Sequence, residues 1–242
     1  MVRMKKSLYD EMVARADAQQ VPGLMRFFKC GVGEYGEGDC FLGIKVPVTR
    51  SVVKVCWECT DFEELERCIS SAYHEVRLAA LLTLIEKFRH APKHHDLRQQ
   101  CVDFYLTHLE YVNNWDLVDL SCYKLLGEWL MDKDRSLLYQ LAAHGTTIWQ
   151  QRIGMVSTMQ FVRSRQLDDT FAIACLFLDK PSPLHDLLQK AVGWLLREAG
   201  KKDEGRLCRW LDEKAPVMPR TMLRYAIEKL SEAERKHYLT IV

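Results

Sequence analysis

The sequence predicts an all-α chain of stacked helical repeats, a HEAT/armadillo-type solenoid, and three observations carry that prediction. First, apolar residues recur at helical spacing from residue 61 onward. In 74–88, Val76, Ala79, Ala80 and Thr83 share one face, while Leu78, Leu81, Leu82, Leu84, Ile85 and Phe88 carry the apolar surface well beyond it. A helix apolar on more than one face packs between neighbours, as in a solenoid. Second, comparable stretches return at 114–130, 147–162, 186–200 and 220–230, and Arg77, Val118, Arg152 and Lys190 follow one another at steps of 41, 34 and 38 residues. Such steps, with two or three helices in each, belong to HEAT and armadillo repeats. Third, the 242 residues include only 12 Gly and 7 Pro, too few for many short strands and turns.

The boundaries between helices are marked by breakers. Ala91-Pro92-Lys93, Ala143-His144-Gly145, Lys180-Pro181-Ser182-Pro183, Gly200-Lys201-Lys202-Asp203 and Ala215-Pro216 onward sit where helix–helix turns belong. Asp61 is placed to cap a helix start, with Glu64 as its capping-box partner. Gly200 follows a periodic stretch, as a glycine just past a helix end would. The exception to helix is 31–43, with glycines at 31, 33, 36, 38 and 43, which reads as a long loop between two N-terminal helices. No Pro/Gly/Ser linker divides the chain, so 1–242 is expected to be one domain.

Composition narrows the function classes. With 48% hydrophobic and 28% charged residues the chain is neither disordered nor fibrous. The N-terminal stretch is charged and lacks a signal-peptide apolar core, and no run approaches the ~18 apolar residues of a membrane span, so a cytoplasmic protein without a membrane partner is expected. Nine scattered cysteines read as reduced, mostly buried small hydrophobes rather than a disulfide framework. The net charge of +1 argues against a purely electrostatic nucleic-acid binder, so any grip on DNA must come from local clusters of Lys and Arg.

Three motifs fail on context. Gly31-Val32-Gly33-Glu34-Tyr35-Gly36 matches G-x-G-x-x-G, but a helical segment precedes it and acids follow it, where a nucleotide fingerprint needs a strand, then a helix N-terminus. Cys56-Trp57-Glu58-Cys59 is a lone C-x-x-C without a second pair for zinc, and reads as two cysteines on one helix face. His90, His94 and His95 flank Lys93 on a turn and read as solvated. No metal and no cofactor are expected.

One constellation remains. In Asn113-Asn114-Trp115-Asp116-Leu117-Val118-Asp119 an Asn can cap a helix, and Trp115 and Asp119 are then one turn apart on one face. Trp149-Gln150-Gln151-Arg152 follows on the next repeat, and the stretch from Lys190 through Trp194 and Arg197 to Lys201 on the one after. Equivalent positions of successive repeats line one concave surface, so Asp119, Arg152 and Trp194 are spaced to converge on a concave basic groove. Read on residue type alone, Asp119 is a helix carboxylate paired with Arg152, and Trp115 and Trp194 are packing residues. Trp57, Trp129 and Trp210 are assigned to packing.

FLGIKVP with Arg50, HEVRLAALLTL, NNWDLVDLS, WQQRIGMVST, KAVGWLLREAGK and MPRTMLRYAIEKL, in that order and spacing, resemble the AlkD-like DNA alkylation repair family over roughly residues 20 to 240. The resemblance implies a DNA glycosylase that removes cationic N-alkylated purines, the 3-methyladenine and 7-methylguanine class, from duplex DNA without flipping the base; a monomer is expected. It implies a Trp–Asp–Trp cluster at the deoxyribose, matching Trp115, Asp119 and Trp194, and a nearby arginine, matching Arg152. DNA grip is expected from Arg163, Arg165, Arg197, Lys201, Lys202, Arg206 and Arg224, and from the stretch Phe27-Phe28-Lys29. Family members commonly carry a tyrosine near that last stretch, and a Phe keeps the stacking face but not the hydroxyl. Two alternatives stay open: a non-excising relative that recognises distorted or branched DNA, and a HEAT-like protein–protein scaffold.

Overall fold

The computed structural model describes residues 7–180 and 183–241. They are predominantly helical, and an isolated bridge between Cys40 and Tyr73 is the only extended pairing among them. No described helix is long and apolar enough to cross a membrane. The chain divides between Ser121 and Cys122 into two compact units.

The first unit holds α1 (Leu8–Val13), α2 (Val21–Phe27), α3 (Val46–Cys56), α4 (Phe62–Ile69), α5 (His74–Arg89), α6 (His95–Thr107) and nearly all of α7 (Trp115–Cys122). Local chemistry starts several of them. The Ser7 hydroxyl accepts from the Asp10 amide and donates to Glu64, tying α1 to α4. Pro22 and Pro47 occupy first turns, where no amide is needed. At the centre lies α5, packed against α1, α3, α4 and α6, with every residue buried except Glu86, Lys87 and Arg89. Its all-round apolarity is therefore answered by neighbours on several sides.

The second unit continues through a π-helical turn, Tyr123–Gly127, into α8 (Ser136–His144), α9 (Ile148–Val156), α10 (Met159–Arg163), α11 (Asp168–Leu178), α12 (Asp186–Gly200), α13 (Glu204–Lys214), α14 (Arg220–Ala226) and α15 (Glu232–Ile241). Here α12 is central, in contact with α9, α10, α11, α13 and α14. Its Gly193 faces α14 so closely that a Cβ would overlap the Met222 carbonyl and the Tyr225 Cβ. Gly193→Ala is expected to destabilise by about 1–3 kcal/mol, because backbone cannot step aside as a flexible side chain can. A thermal or denaturant midpoint measures it, and an unchanged midpoint would contradict this packing.

The repeat spacing is reproduced. Arg77 and Val118 are the fourth residues of α5 and α7, Arg152 and Lys190 the fifth of α9 and α12, and the first three are buried. Other local expectations need correction. Gly200 is the last residue of α12 rather than the residue beyond it, and what it allows is close approach, since a Cβ would overlap Leu207. Only half of the capping box forms: Asp61 accepts from the Glu64 amide, but the Glu64 carboxylate turns to Ser7 and the Tyr9 amide. Cys56 is buried at the end of α3 while Cys59 lies exposed past it, so the pair does not share a helix face. None of the nine cysteines, all of them among the described residues, forms a disulfide. Cys56, Cys68, Cys101 and Cys122 are buried and Cys40 and Cys59 are exposed, fewer buried than composition suggested.

Candidate functional site

The 112–116 stretch sets up α7. Asn114 is buried, and its side-chain oxygen accepts from the Trp115 amide at 2.8 Å, satisfying one of the open donors at the helix start. Trp115 is then the first helical residue and Asp119 lies one turn on, with the fully buried Leu117 and Val118 behind them. Both site residues are half-buried, anchored yet partly open to solvent.

An aromatic wall adjoins Trp115. Phe27 ends α2 and meets the indole edge to face at 5.7 Å, and Phe28 stacks on it at 5.6 Å. Phe28 is buried, but Phe27 is 60% exposed, unusual for so large an apolar ring. Phe41 stacks on Phe28 at 5.3 Å. Of the residues proposed from sequence, Phe27, Phe28 and Trp115 are thus brought together. Lys29 is exposed, in a left-handed backbone conformation, 3.8 Å from Glu34.

Behind the wall lies a buried charge network that sequence reasoning missed. The imidazole of His74, the first residue of α5, meets Asp39 at 2.8 Å through Nδ1 and Asp116 at 2.9 Å through Nε2. Arg77 reaches Asp39 at 2.5 Å and Asn113 at 3.2 Å, and donates to the Ser71 and Ala72 carbonyls. Burial works against a charged His74, but the hydrogen bonds and charges of Asp116 and Asp39 outweigh it and raise its pKa to about 9. Burial likewise opposes the Asp39 charge, and His74 and Arg77 overcome it, so that its pKa falls below the ordinary value. Next to His74, the buried Glu75 carboxylate accepts from the Leu42, Gly43 and Ile44 amides at 2.9, 2.9 and 3.0 Å. A legible signal was present: His74, Glu75 and Arg77 are polar residues at the start of a helix whose following residues, Leu78 to Ile85, are apolar on several faces, and buried charges need partners.

The Gly-rich stretch binds its own amides. Glu34 accepts from the Gly31 N–H and Glu37 from the Gly33 N–H, both at 2.8 Å. The donors that would cradle a phosphate in a nucleotide loop are taken by these carboxylates. Among the described residues, no group of three or more His, Cys, Asp or Glu is placed to hold a metal ion.

In the second unit, Arg152 on α9 is buried and its guanidinium donates to the Leu187 carbonyl at the start of α12. Trp194 lies farther along α12 and is half-buried. The predicted cations divide into two groups. Arg197 pairs with Glu198 and Glu228, Lys201 with Glu198 at 2.7 Å, and Arg206 with Asp168 at 2.7 Å. Arg163, Lys202 and Arg224 are exposed and carry no ion pair among the described residues, and Arg163 lies over the Tyr123 ring at 4.6 Å. Arg165 donates to the Lys202 carbonyl at 3.3 Å, which brings the α10 and α12 ends together.

Fold and site together define a helical-repeat protein with a carboxylate one turn from an aromatic wall. The family model described as DNA alkylation repair enzyme matches residues 8–230, and the chain belongs to that family. A solved structure of a predicted DNA alkylation repair enzyme from Enterococcus faecalis is similar with a TM-score of 0.66, at 15% identity over 90% of this chain and 97% of that one. No protein of curated function matches the chain.

Proposed function

We propose that the chain is a DNA glycosylase that hydrolyses the N-glycosidic bond of cationic N-alkylated purines in duplex DNA. The observation that carries this reading is Asp119 one turn from Trp115 on α7, with Phe27 and Phe28 against the indole. An N-alkylated purine bears a formal positive charge. When the C1′–N bond breaks, the base keeps the bonding pair and leaves neutral, so no strong general acid is required. The sugar becomes an oxocarbenium-like cation. The Asp119 carboxylate stabilises that cation and orients the water whose oxygen bonds to C1′, and the released proton passes to solvent. Electron-rich ring faces at Trp115 favour the same developing charge. By the resemblance, Trp194 and Arg152 contribute to the same step, and Phe27, Phe28, Lys29 and the exposed cations hold DNA.

A second reading, a relative that binds distorted or branched DNA without excision, is favoured by one observation: Arg197, Lys201 and Arg206 are already paired with acids, which lowers the charge available to phosphates. Incubation of the protein with duplex DNA containing 7-methylguanine separates the two. Released free base and an abasic site are the expected products. Salt-sensitive binding with no released base would replace the first reading by the second.

A further inference from the structure

Three separate stretches of the first unit meet at one buried imidazole. Asp39 comes from the Gly-rich segment, His74 begins α5, and Asp116 lies in the first turn of α7. A neutral imidazole has one N–H, so a ring with both nitrogens within 3 Å of carboxylates satisfies both only as an imidazolium. The geometry itself therefore places a cation there. The Phe28 and Phe41 rings lie against it at 4.6 and 4.9 Å, and Phe28 also stacks on Trp115. The backbone adds a tie of its own, since the His74 amide donates to the Cys40 carbonyl at 2.8 Å.

We propose that His74 is a positioning residue: as an imidazolium it straps the Gly-rich segment to the start of α7 and so holds the Phe28–Trp115 wall in place. The proposal rests on the reading of Trp115 as a site residue, but the strap has its own observable. The groups that face His74 are Asp39 from the loop and Asp116 from α7. Arg77 acts from the same helix through Asp39, and Glu75 is turned away onto the 42–44 amides. Removing the imidazolium leaves Asp39 and Asp116 with no cation between them, and only Arg77 still holds Asp39.

The sign follows from the raised pKa. The strap is fully present below the ordinary histidine value of 6.5 and is lost as pH rises through about 9. Hydrogen–deuterium exchange over 31–43, expressed as protection factors, and single-turnover excision of 7-methylguanine test this together in wild type, His74→Gln and Asp39→Asn. In His74→Gln, protection over 31–43 falls on the order of tenfold at neutral pH. Excision falls on the order of ten- to a hundredfold through misplacement of the wall, and DNA binding weakens with it because the wall is also the stacking surface. Wild type loses the same protection near pH 9, and Asp39→Asn moves that midpoint down, a displacement that a merely structural role would not produce. Should His74→Gln fail to fold, the wild-type profile and Asp39→Asn decide the question. Protection over 31–43 that stays constant through pH 9, or a midpoint unmoved in Asp39→Asn, would overturn the strap. An inactive wild type with pH-dependent protection would overturn the excision reading and leave the strap standing.

Discussion

Glu75→Ala is expected to destabilise the protein by about 3–5 kcal/mol, a large fraction of the roughly 5–15 kcal/mol that a folded domain has in total. The argument is one of unmet donors. The Glu75 carboxylate is 3% exposed and accepts from three consecutive amides, those of Leu42, Gly43 and Ile44, themselves buried. A hydrogen bond to a charged group contributes about 1.5–3 kcal/mol, and an amide left buried without an acceptor costs about 1–3 kcal/mol. Alanine removes the acceptor of all three at once. The losses are not additive, which sets the lower total. Glu75→Gln keeps shape and one acceptor oxygen but turns a donor toward donors, so it should cost less than alanine yet remain clearly destabilising. Denaturant midpoints at constant slope measure both variants. A loss below about 1 kcal/mol for Glu75→Ala would mean that the three amides find other partners, contrary to the geometry described.

Much of the architecture was legible because it is local. The all-round apolarity of α5 announced a helix packed on several sides, and the neighbours are α1, α3, α4 and α6. Asn114 announced the start of α7, and its side chain does accept there, although from the next amide rather than one further into the helix. The one-turn spacing of Trp115 and Asp119 followed from that start alone. Gly200 shows the limit of such reading: a glycine past a helix end and a glycine that admits a neighbouring leucine look the same in sequence, and here the second holds.

The partners of the charge network were illegible for a different reason. His74 finds Asp39 and Asp116 at separations of 35 and 42 residues, and Glu75 finds its amides 31 to 33 residues away. Helical periodicity reports only neighbours three or four residues apart, so HEVRLAALLTL displayed its apolar face and hid the partners of its polar residues. The acidic partners of the cations were hidden in the same way. Arg197 reads as a phosphate contact in sequence, whereas in the fold Glu228, 31 residues on, occupies it. A list of lysines and arginines therefore overstated the free positive surface, and Arg163, Lys202 and Arg224 are the better candidates for phosphate.

Asp119→Asn should reduce the single-turnover rate of 7-methylguanine release by on the order of 10²–10³-fold, the loss typical when one preorganised electrostatic stabiliser is removed. The substitution is nearly isosteric, so α7 and the wall around Trp115 stay as they are, and what disappears is the negative charge. That charge matters little to the ground state of DNA, where the alkylated base carries the positive charge, and most as the C1′–N bond breaks and the cation moves onto the sugar. The loss should therefore appear in the rate of the bond-breaking step and not in DNA affinity, the signature of an interaction made in the transition state. Trp115→Ala should lose less, about two- to thirtyfold, in keeping with a single cation–π contact of about 0.5–2 kcal/mol, and should weaken DNA binding as well because a stacking surface goes with it. Equal rates in wild type and Asp119→Asn, with base release intact, would move the catalytic charge elsewhere in the protein. A mutant that binds DNA as wild type does and releases nothing would tie bond cleavage to the Asp119 carboxylate, in a reaction whose leaving group is already activated by alkylation.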